Sequence, residues 1–154
     1  MQTPEQFRLD IRKAKQILED LTGNPVEGYR APSFSITNGN SWALSILAEE
    51  GYIYDSSMYA RFHRSGNGGA SVGIYPIDTV AGRIWELPPS TLNVFGFWLP
   101  VAGGGYFRLF PYAASRAFLR QLELQGAQLV FYLHPWEIDP EQPRMRGPWL
   151  SQIR

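Results

Sequence analysis

Leu129-Val130-Phe131-Tyr132-Leu133-His134-Pro135-Trp136-Glu137 places an apolar run directly before a histidine and a proline. The apolar residues predict a buried strand over 129–133, and Pro135 cannot continue a strand ladder. His134 is therefore expected where this strand runs out into a loop, beside Trp136. In barrels and doubly wound α/β domains, catalytic groups collect at the carboxyl ends of strands. Such a histidine can deliver a proton to a leaving group; the alternative is a strand-end histidine bonded only to backbone.

Helical and strand-like segments alternate along the rest of the chain, which predicts an α/β fold built from parallel units. Helices are predicted from Thr3 to Gly23, from Asn40 or Ser41 to Gly51, and from Pro111 to Leu124. Further strands are predicted at 26–30, 52–54, 74–75, 84–87 and 106–110, and a loop at 61–73. The first helix is expected to bury one face, made of Phe7, Ile11, Ala14, Leu18 and Leu21.

Composition narrows the classes of function. The formal net charge is zero, which argues against a nucleic-acid binder because such proteins carry a basic excess. There is no cysteine, so disulfides and thiolate metal sites are excluded. No apolar run reaches the roughly 18 residues of a membrane span. The polar start carries no signal peptide, which slightly favours the cytoplasm.

Arg30, in Gly28-Tyr29-Arg30-Ala31-Pro32-Ser33-Phe34, is the second candidate for a functional residue. It follows a short apolar strand, and Pro32 biases Ala31 towards extended geometry. This setting suits a two-pronged contact with a carboxylate, although an isolated arginine is often simply solvated. The N–H of Ser33, just after the proline, is placed to stabilise an oxyanion.

Other candidates are weaker. Asp55 follows a predicted strand, but Asp followed by two serines is also an ordinary turn or helix cap. Gly103-Gly104-Gly105 lacks the ending of a phosphate loop and is interpreted as conformational. The chain has only two histidines, and His63 is expected on the surface. With no paired histidines at short spacing, no transition-metal site is expected in this chain alone.

At these residues the chain resembles the polysaccharide deacetylases of the NodB-homology family, and most of all the subgroup found with exosortase-linked exopolysaccharide loci. The resemblance covers nearly the whole chain. It rests on Thr3-Pro4-Glu5-Gln6-Phe7, on the Arg30 block extended to Ser35, on Tyr54-Asp55-Ser56-Ser57, on 103–108, and on Phe131 through Arg144.

The resemblance implies a fold, a reaction and residue roles. The family folds as a distorted (β/α) barrel and removes acetyl groups from N-acetylated sugars with a divalent metal. Arg30 would orient the catalytic aspartate, His134 would protonate the departing amine, and Asp55 would tune that histidine. Ser56 follows this aspartate where the family often has Trp. The substrate-binding positions implied are Leu133, Pro32, Ser33 and Trp136.

The family's first two motifs supply the catalytic base and the metal ligands, and both lie upstream of the arginine motif. Residues 1–29 contain neither. We therefore expect residues 1–154 to form a single domain, the C-terminal portion of a deacetylase and a partial barrel lacking its first strands. The zinc-like metal would belong to the complete enzyme, and the chain alone would bind none and show negligible turnover.

Two other functions stay open. A non-catalytic saccharide-binding module would use tryptophans as stacking surfaces, namely Trp85, Trp98, Trp136 and Trp149. Alternatively, the chain is half of a two-chain enzyme whose partner is the missing N-terminal part. In the enzymatic interpretation the substrate is an N-acetylated polysaccharide, and Arg30 and His134 are expected to meet at one barrel mouth.

Overall fold

The computed structural model describes residues 2–58 and 73–141. The predictions for His63, Trp149 and residues 61–72, and the end of the last motif block, lie outside these residues. The chain divides into two compact units, Met1–Pro88 and Pro89–Arg154, and each is described by itself. A single domain over residues 1–154 stays a prediction.

Helix α1, Pro4–Thr22, begins and ends where the sequence predicts. The Thr3 hydroxyl accepts from the Gln6 N–H at 3.2 Å, and the Gln6 side chain accepts from the Thr3 N–H at 3.0 Å. This reciprocal capping box satisfies two backbone donors at the start of the helix. Gly23 ends the helix in the left-handed region, with φ of 67°.

The predicted buried face of α1 is correct only near its start. Phe7 and Ile11 are buried, whereas the later members of the face are exposed, namely Ala14, Leu18 and Leu21. Helix α2, Trp42–Glu49, packs against α1 but has 8 residues where α1 has 19. At about 1.5 Å of rise per residue, the shorter helix cannot cover the longer one.

The first unit contains a four-stranded sheet in the order β1-β2-β4-β3. Its strands are β1 Gly28–Tyr29, β2 Tyr54–Asp55, β3 Tyr75–Thr79 and β4 Gly82–Glu86. Strands β1, β2 and β4 are parallel, and β3 pairs with β4 in the antiparallel sense. Two 3-10 turns, Pro32–Phe34 and Asn38–Asn40, connect β1 to α2. The predicted mixed α/β fold with parallel strands is thus confirmed.

The second unit joins a hairpin to two helices. Strands β5, Thr91–Val94, and β6, Phe97–Pro100, form the antiparallel hairpin, which the sequence did not indicate. Helix α3 spans Gly104–Leu109, and α4 spans Tyr112–Leu124 as predicted. A 3-10 turn at Pro135–Glu137 follows. Among the helices of the described residues, none combines the length and apolar character needed to cross a membrane.

Two predicted strands in this unit are wrong. Residues 106–110 lie mostly in helix α3, which begins at the second glycine of the 103–105 block. Residues 129–133 form no regular strand and make only a single parallel bridge, between Gly103 and Tyr132. The segment is nevertheless held by backbone bonds, because the Val130 carbonyl accepts from the Ser90 N–H at 3.0 Å and the Tyr132 carbonyl accepts from the Gly104 N–H at 2.9 Å.

Candidate functional site

Three parallel strands of the first unit end side by side. Their register pairs Tyr29 with Asp55 and Asp55 with Glu86, and Arg30 follows β1 directly. One guanidinium and two carboxyls therefore belong to the same edge of the sheet, the edge where parallel strands collect functional groups. The sequence predicted Arg30 and Asp55 at strand ends, and the structure puts them on neighbouring strands. Glu86 was not predicted.

Arg30 is fixed by Ser56. Its Nε donates to the Ser56 carbonyl oxygen at 3.0 Å, and its Nη2 donates to Ser56 Oγ at 2.5 Å. The Ser56 hydroxyl in turn donates to the Leu87 carbonyl at 2.5 Å. Two bonds from a planar guanidinium to one residue set its orientation as well as its position. Ser56 is therefore a site residue that the sequence did not indicate.

Ser57 connects the Arg30 loop to Asp55. Its hydroxyl accepts from the Ala31 N–H at 2.7 Å and donates to Asp55 Oδ1 at 2.5 Å. Its own N–H donates to Asp55 Oδ2 at 3.2 Å. Asp55 is fully buried, and burial raises the pKa of its carboxyl, although the bonds from Ser57 oppose that rise. The described contacts of Asp55 thus brace the loop after β1, while its influence on His134 stays a prediction.

Glu86 is as buried as Asp55, with no exposed surface. Its Oε1 accepts from the Met58 N–H at 2.9 Å, while Oε2 is buried without a hydrogen-bond partner among the described residues. Burial, reinforced by the nearby Asp55 charge, raises the pKa of Glu86 to about 10. Glutamate is rarely buried, so the residue type alone does not predict the interior position of Glu86. The alternation of β4 does indicate it, because Glu86 lies on the same buried face as Ile84, two residues earlier.

The turn after Arg30 carries backbone strain. Ser33 and Phe34 have φ of 57° and 52°, in the left-handed region that non-glycine residues rarely adopt. Each such residue costs about 1–3 kcal/mol, and such strain clusters at functional sites. Ser33 and Pro32 are exposed, and among the described residues no acceptor meets the Ser33 N–H. The Ser33 N–H, which is predicted to stabilise an oxyanion, therefore makes no hydrogen bond within the turn.

His134 of the second unit is held between two aromatic rings. Its Nε2 lies 2.5 Å from the Tyr132 hydroxyl, and its ring stacks on Trp136 with 3.9 Å between ring centroids and 13° between planes. The imidazole is half-buried and Trp136 is half exposed. A ring clamped in this way keeps one orientation while one side stays open to solvent. The sequence predicted His134 and Trp136 but not Tyr132.

Leu133 lines an apolar groove of about 450 Å³ in the same unit. Its other apolar walls are Phe107, Phe131 and Ile138. Leu133 is 46% exposed, so its side chain is available to a ligand. Its role in substrate binding stays a prediction.

Glu137 anchors the turn that carries His134. Its Oε2 accepts from the His134 N–H at 2.8 Å, and its Oε1 accepts from Arg108 Nη2 at 2.9 Å. Only 6% of the Glu137 side chain is exposed. The carboxylate also packs directly against Gly104, where a Cβ would overlap it. None of the three glycines at 103–105 has a positive φ, so the conformational role of the block stays a prediction. Its second glycine leaves room for Glu137.

This close approach gives a stability prediction. We expect Gly104→Ala to lower the free energy of unfolding by about 1–3 kcal/mol, because the new methyl group displaces a carboxylate held at both oxygens. Gly105→Ala is the matched control, since nothing lies within 4 Å of its added Cβ. Because alanine favours a helix more than glycine does, this control should raise the free energy of unfolding by about 0.5–1 kcal/mol. Denaturant titration measures both, and equal effects at the two glycines would contradict the packing argument.

The described residues do not fit a catalytic metal. Across residues 2–58 and 73–141, no three His, Cys, Asp or Glu side chains are grouped so that they could hold an ion. Asp55 and Glu86 form a pair without a third ligand. That the chain alone binds no catalytic metal stays a prediction.

Comparison with known proteins gives a family match for part of the sequence. Residues 56–154 match the model of a family described as "Domain of unknown function (DUF3473)". The match spans more than half of the chain. It includes Ser56, Glu86 and the whole second unit. The chain belongs to this family. A search of curated proteins found no match.

This DUF3473 member also resembles a solved structure. It is the crystal structure of a "putative polysaccharide deacetylase" from Mycobacterium smegmatis, with a TM-score of 0.57 and 22% sequence identity. The likeness covers 86% of this chain and 44% of that one, so the chain spans less than half of the neighbour's length. At this identity the likeness shows a shared fold, which agrees with the parallel strands seen here.

Proposed function

We propose that this chain is part of a polysaccharide N-deacetylase, a hydrolase that cleaves the acetamide of N-acetylated sugars in an exopolysaccharide. The observation that carries the proposal is the Arg30 loop. A guanidinium fixed by Ser56 stands at the end of parallel strands, and the Ser33 N–H, three residues later in the chain, makes no hydrogen bond among the described residues. An oriented cation and an oxyanion donor are what acyl transfer from an amide requires. The likeness in fold to the mycobacterial structure supports the same reaction class.

In this proposal Arg30 is a positioning residue. It would orient a carboxylate that acts as the general base towards water, and the Ser33 N–H would donate a hydrogen bond to the developing oxyanion. Pro32 shapes the turn and contributes a surface for the sugar. The buried Asp55 and Ser57 contacts hold the Ala31 N–H at the start of the turn, and Ser33 itself has a left-handed backbone. In the proposal this preformed turn presents the Ser33 N–H to the oxyanion.

His134 would protonate the amine as the C–N bond breaks. The Tyr132 hydroxyl and the Trp136 ring hold the imidazole, and the half-open setting allows its proton to be replaced from solvent. Leu133 and the apolar groove beside it offer a surface for the acetyl methyl group. An amine leaves readily only when protonated, so the proton donor determines the rate of this step.

The proposal assigns the catalytic base and the zinc-like metal to residues other than those described, because the described residues hold no suitable ligand group. A partial (β/α) barrel, completed by a preceding segment or a second chain, would bring those groups. The short edge strand β1 supports this, because among the described residues it is paired only with β2 and could accept a further strand on its other side.

Acetate release from N-acetylated chito-oligosaccharide tests this. We expect negligible turnover from the 154-residue chain with zinc or cobalt, and turnover once a segment bearing Asp-Asp and His-x-x-x-His motifs is joined or added. Removing the base or the metal should lower the rate by at least about 10²-fold in each case, which is the usual rate gain from such groups. Clear turnover by the chain alone would contradict the assignment of base and metal. No turnover on any N-acetylated glycan after complementation would contradict the deacetylase proposal.

A saccharide-binding module is the second candidate. It is favoured by the partial exposure of Trp85 and Trp136, at 41% and 49%. Titration calorimetry with the same oligosaccharides separates the two functions. Binding that survives His134→Asn and Arg30→Lys but is lost in Trp85→Ala would favour the module.

A further inference from the structure

The carboxyls of Asp55 and Glu86 are enclosed together at the ends of β2 and β4. Both residues have no exposed surface, and the strand register makes them direct neighbours. Asp55 accepts two hydrogen bonds, both from Ser57. Glu86 accepts one, from the Met58 N–H, and leaves Oε2 without a donor among the described residues. The two carboxyls are thus in unequal surroundings.

Two ionised carboxylates cannot form a hydrogen bond with each other, since both only accept. One proton between them removes the repulsion and gives the buried oxygen a partner. The two bonds from Ser57 stabilise the ionised form of Asp55, whereas the orphan oxygen of Glu86 is satisfied when that group carries the proton. We propose that Asp55 and Glu86 hold one proton between them, carried by Glu86, and that this pair positions the Arg30 loop.

The groups that face the pair agree with a neutral Glu86. Burial raises the pKa of Glu86 to about 10, and the Asp55 charge adds to this. Tyr75 on β3 and Tyr29 on β1 are neutral phenols, because burial raises their pKa above the ordinary value. Arg30 is the cation whose charge acts on Glu86, and it favours ionisation more weakly than burial opposes it. Helix α2 buries only apolar side chains.

The pair reaches Arg30 through the two serines. Asp55 orients the Ser57 hydroxyl, which accepts from the Ala31 N–H directly after Arg30. Glu86 holds the Met58 N–H, so the segment from Asp55 to Met58 is bonded at both ends. Ser56, inside that segment, fixes the guanidinium. The shared proton stands on the structure itself, and only the catalytic value of holding Arg30 rests on the proposed function.

Glu86→Gln and Glu86→Met test the pair. Glutamine mimics the neutral acid, since its amide donates towards Asp55 and its oxygen accepts from Met58 N–H. Methionine fills similar space with neither bond. Glu123→Gln removes an exposed carboxylate and is the matched control. The readouts are denaturant midpoints from about pH 6 to about pH 9, the infrared band of a protonated carboxyl, and the Arg30 Nε–H resonance.

The sign of the pH effect follows from where the proton is held. Between the ordinary pKa of 4.5 and about 10, Glu86 keeps its proton in the folded chain and loses it in the unfolded chain. Rising pH therefore favours unfolding over this range, by up to about tenfold in the equilibrium constant per pH unit. We expect Glu86→Gln to remove this slope, to be more stable than the parent chain at about pH 9, and to keep the Arg30 resonance. Glu123→Gln should keep the parent slope.

The parent chain should also show the protonated-carboxyl band at about pH 8, below the raised pKa of Glu86, and Glu86→Gln should not. Glu86→Met should lose the Arg30 Nε–H resonance. If that variant does not fold, the comparison between the parent chain and Glu86→Gln still tests whether Glu86 holds the proton. A parent slope in Glu86→Gln, or no carboxyl band in the parent chain, would overturn the proposal. None of these readouts measures deacetylation, so the proposed function can fail independently.

Discussion

We expect His134→Asn to lower kcat/KM for acetate release by about 10²–10⁴-fold in a preparation that supplies the base and the metal, because the departing amine then has no proton donor. Asparagine keeps the backbone N–H that Glu137 Oε2 accepts at 2.8 Å. The turn should therefore stay folded, and near-UV circular dichroism of the aromatic residues around it checks this.

The leaving group separates proton donation from a structural role. An N-acetylated aromatic amine departs without prior protonation more easily than a sugar amine, so its hydrolysis should depend less on His134. Tyr132→Phe tests positioning separately, because it removes the hydroxyl 2.5 Å from Nε2 but keeps the imidazole and the aromatic contact, so its loss should be smaller than that of His134→Asn. An equal loss with both leaving groups would show that His134 only maintains the structure.

Local signals explain what the sequence predicted in the fold. The capping box at Thr3 and the left-handed Gly23 fix both ends of α1 through contacts within a few residues. Helix α4 follows Pro111 in the same way. Such interactions are encoded in neighbouring residues, so they survive without knowledge of the tertiary structure.

The errors arise where tertiary contacts decide. The aromatic run 106–110 has strand propensity, yet it is helical. The Ala102 carbonyl and the Gly104 N–H both bond to the Tyr132 backbone, and α3 starts there. The hairpin of β5 and β6 turns at Phe95-Gly96, with φ of 50° and 86°. A phenylalanine at the first position of such a turn is uncommon, which hid the hairpin.

The residues of the candidate site show the same difference between local signals and tertiary contacts. Arg30 and Asp55 could be predicted because each follows a short apolar strand. The alternation of β4 hints only at the burial of Glu86. Its pairing with Asp55 and the role of Ser56 could not be predicted, since they depend on which strands become neighbours. Parallel pairing of β2 with β4 skips β3, and no local pattern predicts that order. In the proposed pair, Glu86 lies in the interior as the neutral acid, and its proton is shared with Asp55 beside it.

Arg30→Lys should lower kcat by about 10²-fold in the complemented enzyme while KM changes little, because a misplaced base costs that much without weakening substrate binding. The guanidinium makes two bonds to Ser56, at 3.0 and 2.5 Å. Lysine carries the same charge but cannot reproduce a planar fork. Ser56→Ala removes one of the two bonds and should give a smaller loss. Initial rates over a range of oligosaccharide concentrations separate kcat from KM.

Arg83→Lys is the control, since Arg83 makes an exposed ion pair with Asp78 at 2.8 Å far along the chain from the Arg30 loop. Exposed pairs contribute little, so both activity and stability should stay near the parent values. The order of the variants distinguishes charge from orientation. If charge alone mattered, Arg30→Lys would be active and Ser56→Ala neutral. If orientation matters, activity falls from Arg83→Lys through Ser56→Ala to Arg30→Lys, and an active Arg30→Lys enzyme would refute the role assigned to the fork.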